Sequence, residues 1–446
     1  MIEQTGSGID EGSFPLKIFN DQDIYDAELR RIFARSWVYL GHMSEIEQPG
    51  DYVRRYIGED PYILTRDETG QIQAFLDSCM HRGAQFCTAD KGNTSHFRCP
   101  YHGWTYSNDG TLQGMPKKAE AYQGLDPEDV ELESAYLDTF KGLIFGRIVD
   151  EGPSLEEYLG DFKWYLELIL DPTEKGMTVV TDAHRWQANH NWKTSADNFG
   201  GDNYHVFATH QAAEETDDLD RGPWKKLPDN RRGEFNHLAC TDNAAVSYQI
   251  TNDRETYMGY PDDITEHFNS DLSEEQTELF RRSLFYFGTI FPNTTVVHAV
   301  QSGGWGGPWA AIRKWQPRGP GEVEVISWWL VPEEYEDNDA FMERSHRGWE
   351  SLSAGGAFES DDLTIWEGIS ESTKSMTLDI RESKGNMQQG MDGMSDEVEI
   401  LEDPMHGPGE VTTNGGFYDE RGTRTLLSSW YEQMSREETG ANSGEQ

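Results

Sequence analysis

CMHRGAQFCTADKGNTSHFRCPYHGW, residues 79–104, is the most specific pattern in the chain. It begins with Cys79 and His81 and ends with Cys99 and His102, so each end offers one thiolate and one imidazole. Thiolates favour iron–sulfur clusters or zinc, and two imidazoles in place of two thiolates suit a [2Fe-2S] cluster in which histidines hold one iron. The spacing therefore predicts two loops that hold one cluster between them.

A zinc site is the alternative for these four residues. A Cys2His2 zinc site usually takes both cysteines from one knuckle and both histidines from another, whereas each loop here is mixed. The mixed loops therefore favour the cluster. We interpret the other two cysteines, Cys87 and Cys240, as small buried apolar residues, because four cysteines are too few for a disulfide scaffold in 446 residues.

The surrounding sequence predicts an α+β protein. Residues 38–152 contain short β-type runs between Gly, Asp and Asn turns, which indicates a small antiparallel β domain. A helical segment, residues 1–37, precedes it and is expected to pack on the larger domain. Residues 153–436 mix helical and strand patterns, which predicts a larger domain with helices and an antiparallel sheet. The small polar residues 437–446 predict a flexible tail.

A second metal-binding pattern, NFGGDNYHVFATH, occupies residues 198–210. A helix is predicted over residues 192–210, and Asp202 lies three residues before His205 on one face of it. Since His210 follows, a carboxylate and two imidazoles converge. Two histidines and one carboxylate hold non-haem Fe(II) and leave positions open for oxygen. Asp362, in a later predicted helix, is the expected third ligand. From spacing alone, the histidines could equally be ordinary hydrogen-bonded residues.

Together the two patterns resemble those of Rieske aromatic-ring-hydroxylating oxygenase large (α) subunits. The arrangement C-x-H-x17-C-x2-H, followed by Gly-Trp, resembles the Rieske signature, and residues 191–210 and 354–362 resemble the mononuclear-iron motifs. The resemblance implies a [2Fe-2S] cluster on the first four residues and a mononuclear Fe(II) on His205, His210 and Asp362. It implies that Asp361 stays outside the iron shell.

The resemblance also implies a subunit arrangement. Asp202 matches the family's bridging carboxylate, which joins an iron-ligand histidine to a cluster-ligand histidine of the neighbouring subunit in a homotrimer or an α3β3 assembly with a small β subunit. Ala84 and Tyr101 occupy the positions of the two extra cysteines of respiratory Rieske proteins, so that disulfide cannot form. Its absence indicates the lower-potential cluster of oxygenases and their ferredoxins.

The implied activity is that of a terminal oxygenase. Electrons would come from NAD(P)H through a separate reductase and a ferredoxin, because the sequence shows no dinucleotide-binding G-x-G-x-x-G pattern. Both oxygen atoms would enter an aromatic ring to give a cis-dihydrodiol. Asp202 and Asn198 are the candidate catalytic residues, and the candidate pocket residues, which plain core packing explains equally well, are Phe199, Asn203, Val206, Leu352 and Phe358.

Two other functions stay open. A Rieske monooxygenase or demethylase would have the same two sites, although Asp202 favours the aromatic branch because some members that act on quaternary ammonium compounds have Glu there. An electron carrier with a degenerate second domain is the other alternative, and the complete set of His205, His210 and Asp362 argues against it.

Charge limits the partners and the setting. The 81 acidic and 37 basic residues give a net charge of -44, which excludes a nucleic-acid partner because phosphate backbones require positive surface. The acids are spread along the chain, which favours a protein of a high-salt cytoplasm over an ordinary acidic mesophile protein. No run of eighteen apolar residues and no export signal is found, so a cytoplasmic protein is expected.

Overall fold

The chain forms two compact units, one of residues 33–155 and the other of residues 1–32 and 156–446. The computed structural model describes residues 1–202, 204–210, 236–250, 255–300, 307–391, 407–413 and 419–436. The predicted tail, 437–446, lies outside the described residues. Within the described ranges, no helix has the length and apolar character needed to cross a membrane.

The N-terminal part of the larger unit comes first in the chain. It consists of helix α1 (Ile2–Ile9), strand β1 (Ser13–Pro15) and helix α2 (Gln22–Glu28). The Asp21 side chain accepts a hydrogen bond from Ile24 N–H (3.0 Å) and so caps α2. The smaller unit begins at residue 33, before the predicted start at residue 38.

The smaller unit is built from antiparallel strands. The elements are β2 (Val38–His42), β3 (Asp51–Ile57), β4 (Asp60–Arg66), β5 (Ile72–Leu76), β6 (Lys91–Asn93), β7 (His96–Arg98), β8 (Thr105–Ser107), β9 (Leu112–Gly114), helix α3 (Lys118–Ala121), β10 (Tyr136–Phe140) and β11 (Leu143–Arg147). Three sheets have the orders β10-β11-β2, β5-β4-β3-β6 and β7-β8-β9. In the first sheet β2 and β11 are buried along their whole length, whereas β3 of the second alternates between buried and half-buried side chains, as a strand with one face on a core does.

The described residues that follow the smaller unit form helices and antiparallel strands. The helices are α4 (Leu155–Leu159), α5 (Lys163–Leu170), α6 (Trp192–Gly200), α7 (Val206–Thr209), α8 (Glu274–Arg282), α9 (Asp339–Glu350), α10 (Ala357–Thr373), α11 (Met376–Ile380) and α12 (Arg421–Ser435). The strands are β12 (Met177–Val179), β13 (His184–Ala188), β14 (Asn236–Thr241), β15 (Ala244–Ile250), β16 (Ser283–Ile290), β17 (Thr294–Val300), β18 (Pro308–Gly319), β19 (Glu322–Pro332), β20 (Lys384–Asn386) and β21 (Glu410–Thr413).

The large sheet supports the helix that carries part of the site. Its order is β12-β19-β18-β17-β16-β15-β14-β21, with β13 also paired to β19, while β1 pairs with β20. Helix α6 lies against β15, β16 and β18. Because α6 covers the middle of the sheet, β18 is buried along almost its whole length.

The second metal pattern does not lie on one continuous helix, so the helix predicted to run through residues 192–210 is wrong. Helix α6 ends at Gly200, and α7 begins only at Val206. A Cβ atom on Gly201 would lie 2.6 Å from the Cα of Gly422 at the start of α12, which no side chain tolerates. The close approach of two backbones therefore ends α6 there, and Asp202 and His205 lie in the turn that follows.

Candidate metal centres and cavity

Two loops of the smaller unit repeat one backbone conformation. Gly83 N–H donates to Cys79 O (2.8 Å), and Gly103 N–H donates to Cys99 O (3.0 Å). The two glycines have φ angles of +74° and +75°, in the left-handed region that favours glycine. The same turn therefore closes each of the two segments that carry a cysteine and a histidine.

The donor atoms of these loops fit a [2Fe-2S] cluster. Cys79 and Cys99 are buried free thiols, and the His81 and His102 rings have centroids 4.5 Å apart. Both histidine Nδ1 atoms are buried and have no hydrogen-bond partner among the described residues, which is costly unless a metal binds them. Burial raises the pKa of the Cys79 thiol, so its thiolate form needs the positive charge of iron.

A carboxylate that sequence reasoning missed fastens the first loop. Asp77 is fully buried, and its Oδ1 accepts hydrogen bonds from the backbone N–H groups of Phe86 (2.7 Å) and Cys87 (3.3 Å). Its Oδ2 lies 3.2 Å from Arg54 Nε. These contacts hold the loop without the disulfide that the sequence excludes.

In the larger unit, three side chains converge on one point. His205 Nε2 lies 3.6 Å and His210 Nε2 lies 3.4 Å from the same oxygen, Oδ1 of Asp362. One donor atom from each of the three residues lies within 4.8 Å of the others, the only such group of three or more His, Cys, Asp or Glu in the described part of the chain. Two neutral nitrogens and one carboxylate oxygen on a single face suit a divalent iron with open positions.

Each histidine has a second acceptor on its other nitrogen. His205 Nδ1 contacts the backbone oxygen of Asp202, whose carboxylate Oδ1 lies 3.8 Å away. His210 Nδ1 lies 3.4 Å from Oδ2 of Asp361. An acceptor at Nδ1 keeps the proton there and leaves the Nε2 lone pair free for a metal. Asp361 thus lies outside the convergent group but contacts one of its members.

Burial and charge shift the pKa values of this group in different directions. Burial raises the pKa of Asp362 to about 7. Burial and the neighbouring His205 lower the pKa of His210 to about 4. For His205, burial lowers the pKa, but Asp202 and Asp362 outweigh it and hold the pKa above its ordinary value. At neutral pH these three side chains together therefore carry less negative charge than a fully ionised Asp would bring.

Behind the turn lies a group of further acids. Asp197, on α6, has its pKa raised to about 7, first by burial and then by the charge of Asp202. Tyr204 donates a hydrogen bond to Glu420 at the start of α12 (2.9 Å). One carboxylate oxygen of Asp202 is buried and has no hydrogen-bond partner within the described ranges. The turn therefore carries an unsatisfied acceptor next to His205.

The convergent group opens into an apolar cleft of about 880 Å³, its open mouth included. Asn198, Phe199, Val206, Leu352 and Phe358, all named from the sequence, line it, whereas Asn203 lies outside the described residues. The lining residues that sequence reasoning missed are Phe285, Phe287, Ala299, Val300, Trp309 and Ser351.

The Asn198 amide lies beside the metal-facing nitrogen of His205. Its Nδ2 lies 3.4 Å from His205 Nε2, and its Oδ1 accepts a hydrogen bond from Trp366 Nε1 (3.4 Å). The indole thus fixes the orientation of the amide, so that the NH2 end faces the convergent group.

Family models match both parts of the chain. Residues 36–140 match the Rieske [2Fe-2S] domain, and residues 155–415 match the ring hydroxylating alpha subunit (catalytic domain). The chain belongs to the ring-hydroxylating α subunits. It contains a Rieske [2Fe-2S] cluster and a mononuclear iron, and it is an oxidoreductase that incorporates O2 into an aromatic substrate with electrons from NAD(P)H.

Individual relatives span nearly the whole chain. The N,N-dimethyl phenylurea N-demethylase subunit alpha of Sphingobium sp. (strain YBL2) is 33% identical over 83% of this chain and 82% of its own length. The benzene 1,2-dioxygenase subunit alpha of Pseudomonas putida is 31% identical over 95% of this chain and 91% of its own. The crystal structure of naphthalene 1,2-dioxygenase from Rhodococcus sp. bound to indole is 36% identical, with a TM-score of 0.88 over 97% of this chain and 98% of that one.

Proposed function

We propose that His205, His210 and Asp362 bind the iron, that Cys79, His81, Cys99 and His102 bind the cluster, and that the enzyme cis-dihydroxylates a bicyclic arene. The observation that carries the proposal is the convergence of two Nε2 atoms on Asp362 at the end of an apolar cleft. A neutral aromatic substrate fits such walls. The size class is supported by the relative that was solved with indole, a bicyclic aromatic.

The reaction consumes one arene, one O2, two electrons and two protons. The bound iron and cluster supply the electron transfer that activates O2. The side chains of Phe199, Leu352 and Phe358, which line the cleft, pack on the aromatic ring of the substrate and exclude water from it. Asn198 presents its NH2 group beside His205 and orients the substrate edge. The backbone oxygen of Asp202 and the carboxylate of Asp361 keep the Nδ1 protons of the two histidines in place.

Partners are part of the same proposal. A ferredoxin and a reductase deliver the electrons of NAD(P)H, and the subunits assemble as a homotrimer or with a small β subunit as α3β3. Asp202 then joins His205 to His102 of the next subunit. The buried, unsatisfied oxygen of Asp202 supports this role, because it is an acceptor without a donor in the described part of its own chain.

The test is turnover under labelled oxygen. Protein with measured iron content is incubated with a ferredoxin, a reductase, NADH, 18O2 and naphthalene as the probe. We expect about three irons per chain and a diol with label in both hydroxyl groups, because two irons belong to the cluster and one to the catalytic site. The variant His210→Ala should keep the cluster spectrum and form no diol. Two irons per chain, or a product with one labelled oxygen, would contradict the proposal.

N-demethylation is the second candidate, because the N-demethylase subunit alpha is one of the relatives that show the family. Its substrate, a dimethyl phenylurea, is also a neutral aromatic that the cleft walls would accept. Incubation with an N,N-dimethyl phenylurea and a formaldehyde assay separates the two functions. Formaldehyde at the rate of NADH use, without any diol from naphthalene, would favour demethylation.

The setting is proposed from composition. The net charge of -44 makes the chain repel itself, and salt screens that repulsion, so we infer a cytoplasm of high ionic strength. The melting temperature should rise with KCl into the molar range. A maximum near the physiological ionic strength of about 0.15 M would contradict this setting.

A further inference from the structure

Behind the cleft lies a fully buried arginine that the proposed mechanism does not use. Arg313 is on β18, and its guanidinium carbon lies 4.7–5.4 Å from the ring centroids of three aromatic side chains: Trp186, Phe199 and Trp315. Phe199 is a cleft wall. The guanidinium thus stacks on the back of the surface that the substrate would touch.

The same guanidinium is bonded to two other parts of the site. Its Nη2 donates to Oε2 of Glu359 (2.7 Å) and to the backbone oxygen of Leu352 (3.2 Å), and both members of the ion pair are fully buried. Glu359 lies three residues before Asp362 on α10, so one helical turn joins it to the carboxylate that faces the histidines. Leu352 lines the cleft. One side chain therefore contacts the wall and the ligand helix together.

Stability alone does not explain this pair. Arg313 Nε and Nη1 are buried and have no hydrogen-bond partner among the described residues, so the guanidinium is incompletely satisfied. Burying two charges is expensive, and apolar residues of similar volume are often as stable or more stable in place of a buried ion pair. A buried ion pair with unsatisfied hydrogen-bond donors beside a reaction site is better explained by the residues that it holds in position.

We infer that Arg313 is a positioning residue, which sets the place of Asp362 relative to the cleft wall by holding Glu359, Phe199 and the Leu352 carbonyl at once. This inference rests on the proposed ligand role of Asp362. Under this inference, metal affinity and the position of attack on the substrate both depend on Arg313, which contacts neither the metal nor the substrate. Disturbing the guanidinium should therefore change both properties together.

Two variants separate positioning from stability. Arg313→Lys keeps the charge but lacks the planar fork and the stacking surface. The double variant Arg313→Met and Glu359→Met removes both charges and keeps the volume, so the fold should persist. The controls are Arg185→Lys and the double variant Arg185→Met and Glu324→Met, which disturb a partly exposed ion pair. Arg185 and Glu324 form an ion pair (2.6 Å) between β13 and β19 of the same sheet, and neither lines the cleft.

The first measurement needs no turnover. Co2+ is titrated into protein stripped of its mononuclear iron, and the visible absorbance of the bound Co2+ gives the affinity and reports the ligand geometry. Outer contacts of metal ligands are typically worth roughly 10–100-fold in metal affinity. Because Arg313 contacts Glu359 and none of the proposed ligands, we expect a loss toward the lower end of that range, with a changed spectrum, in both Arg313 variants and in neither control. The melting temperature of each variant is measured as well, so that a loss of affinity in folded protein is distinguished from unfolding.

The second measurement is the ratio of diol regioisomers from a substituted naphthalene. We expect the ratio to change in both Arg313 variants and to stay at the wild-type value in the controls. Wild-type Co2+ affinity and product ratio in the folded double variant would overturn the inference, and so would equal losses in the controls. If His210→Ala binds Co2+ as well as the wild type does, the ligand assignment itself is wrong, and the inference falls with it.

Discussion

Glu28 offers a quantitative test of how the larger unit is held together. Its fully buried carboxylate accepts hydrogen bonds from Lys193 Nζ (2.6 Å), Trp430 Nε1 (2.7 Å) and Trp192 Nε1 (2.8 Å). These contacts join α2, α6 and α12, the first two elements being more than 160 residues apart in the chain. Burial lowers the pKa of Lys193, and Glu28 opposes that shift. The carboxylate is therefore the counter-charge that lets the ammonium stay buried.

The variant Glu28→Gln keeps the shape and removes that charge. Breaking a buried pair by removing one partner costs about 3–5 kcal/mol. For a unit of about 320 residues, with an unfolding entropy of about 2.1 cal/mol/K per residue, the melting temperature should fall by roughly 4–7 °C. The double variant Glu28→Gln and Lys193→Met removes both charges, so it should recover most of the loss.

Differential scanning calorimetry measures the effect, and the visible absorbance of the cluster at 25 °C serves as a control for the smaller unit. A fall of less than about 2 °C in Glu28→Gln, together with no recovery in the double variant, would refute the reasoning, because Lys193 would then not depend on the carboxylate.

Three substitutions test the metal centres. Cys99→Ala should abolish the visible and EPR signals of the cluster, since one thiolate ligand is lost. Cys87→Ala is the control and should retain both signals. An unchanged spectrum in Cys99→Ala contradicts the assignment of Cys99 as a cluster ligand. Asp361→Asn should weaken Fe(II) binding roughly 10–100-fold, because Asp361 Oδ2 lies 3.4 Å from His210 Nδ1. Ser360→Ala, at an exposed position, is the control. If Asp361→Asn binds Fe(II) as tightly as the wild type does, Asp361 has no role in orienting His210. Asp202→Asn should leave both metals bound but slow oxidation of the reduced cluster in a single turnover, and a wild-type rate argues against the bridge.

The proposed donor sets could be named from the sequence because most of their members are close to one another in the chain. The cysteine and histidine of each loop lie within four residues, and a left-handed glycine fixes each turn. His205 and His210 are five positions apart. Asp362 comes from a distant segment, so no spacing relates it to the histidines; it was expected as an acid in a later predicted helix and is implied by the resemblance to a known family. Phe285 and Phe287 are at positions i and i+2 of one strand and therefore share a face, which was a weak sequence indication that both line the cleft.

The rest of the cleft could not be found in this way. It is contributed by β16, β17 and β18, whose side chains are buried almost throughout, so the sequence does not show which face meets the substrate and which meets the core. The helix predicted through residues 192–210 failed for a related reason. Its end is set by the contact of Gly201 with Gly422, and that contact depends on a helix more than 200 residues away.

The electrostatics of the convergent group argue that it is built for a cation. Burial raises the pKa of Asp362 to about 7 and, with His205, lowers the pKa of His210 to about 4, so burial opposes charge on both. A divalent ion reverses the balance, because it stabilises the carboxylate and takes the lone pairs of neutral imidazoles. Binding then displaces the proton of Asp362 and, because the neighbouring carboxylates raise the pKa of His205, the proton of the His205 imidazolium as well. Fe(II) affinity should therefore rise with pH through about 7, in a titration that releases protons, and an affinity that stays constant between about pH 6 and 8 would show that Asp362 is already ionised without the metal.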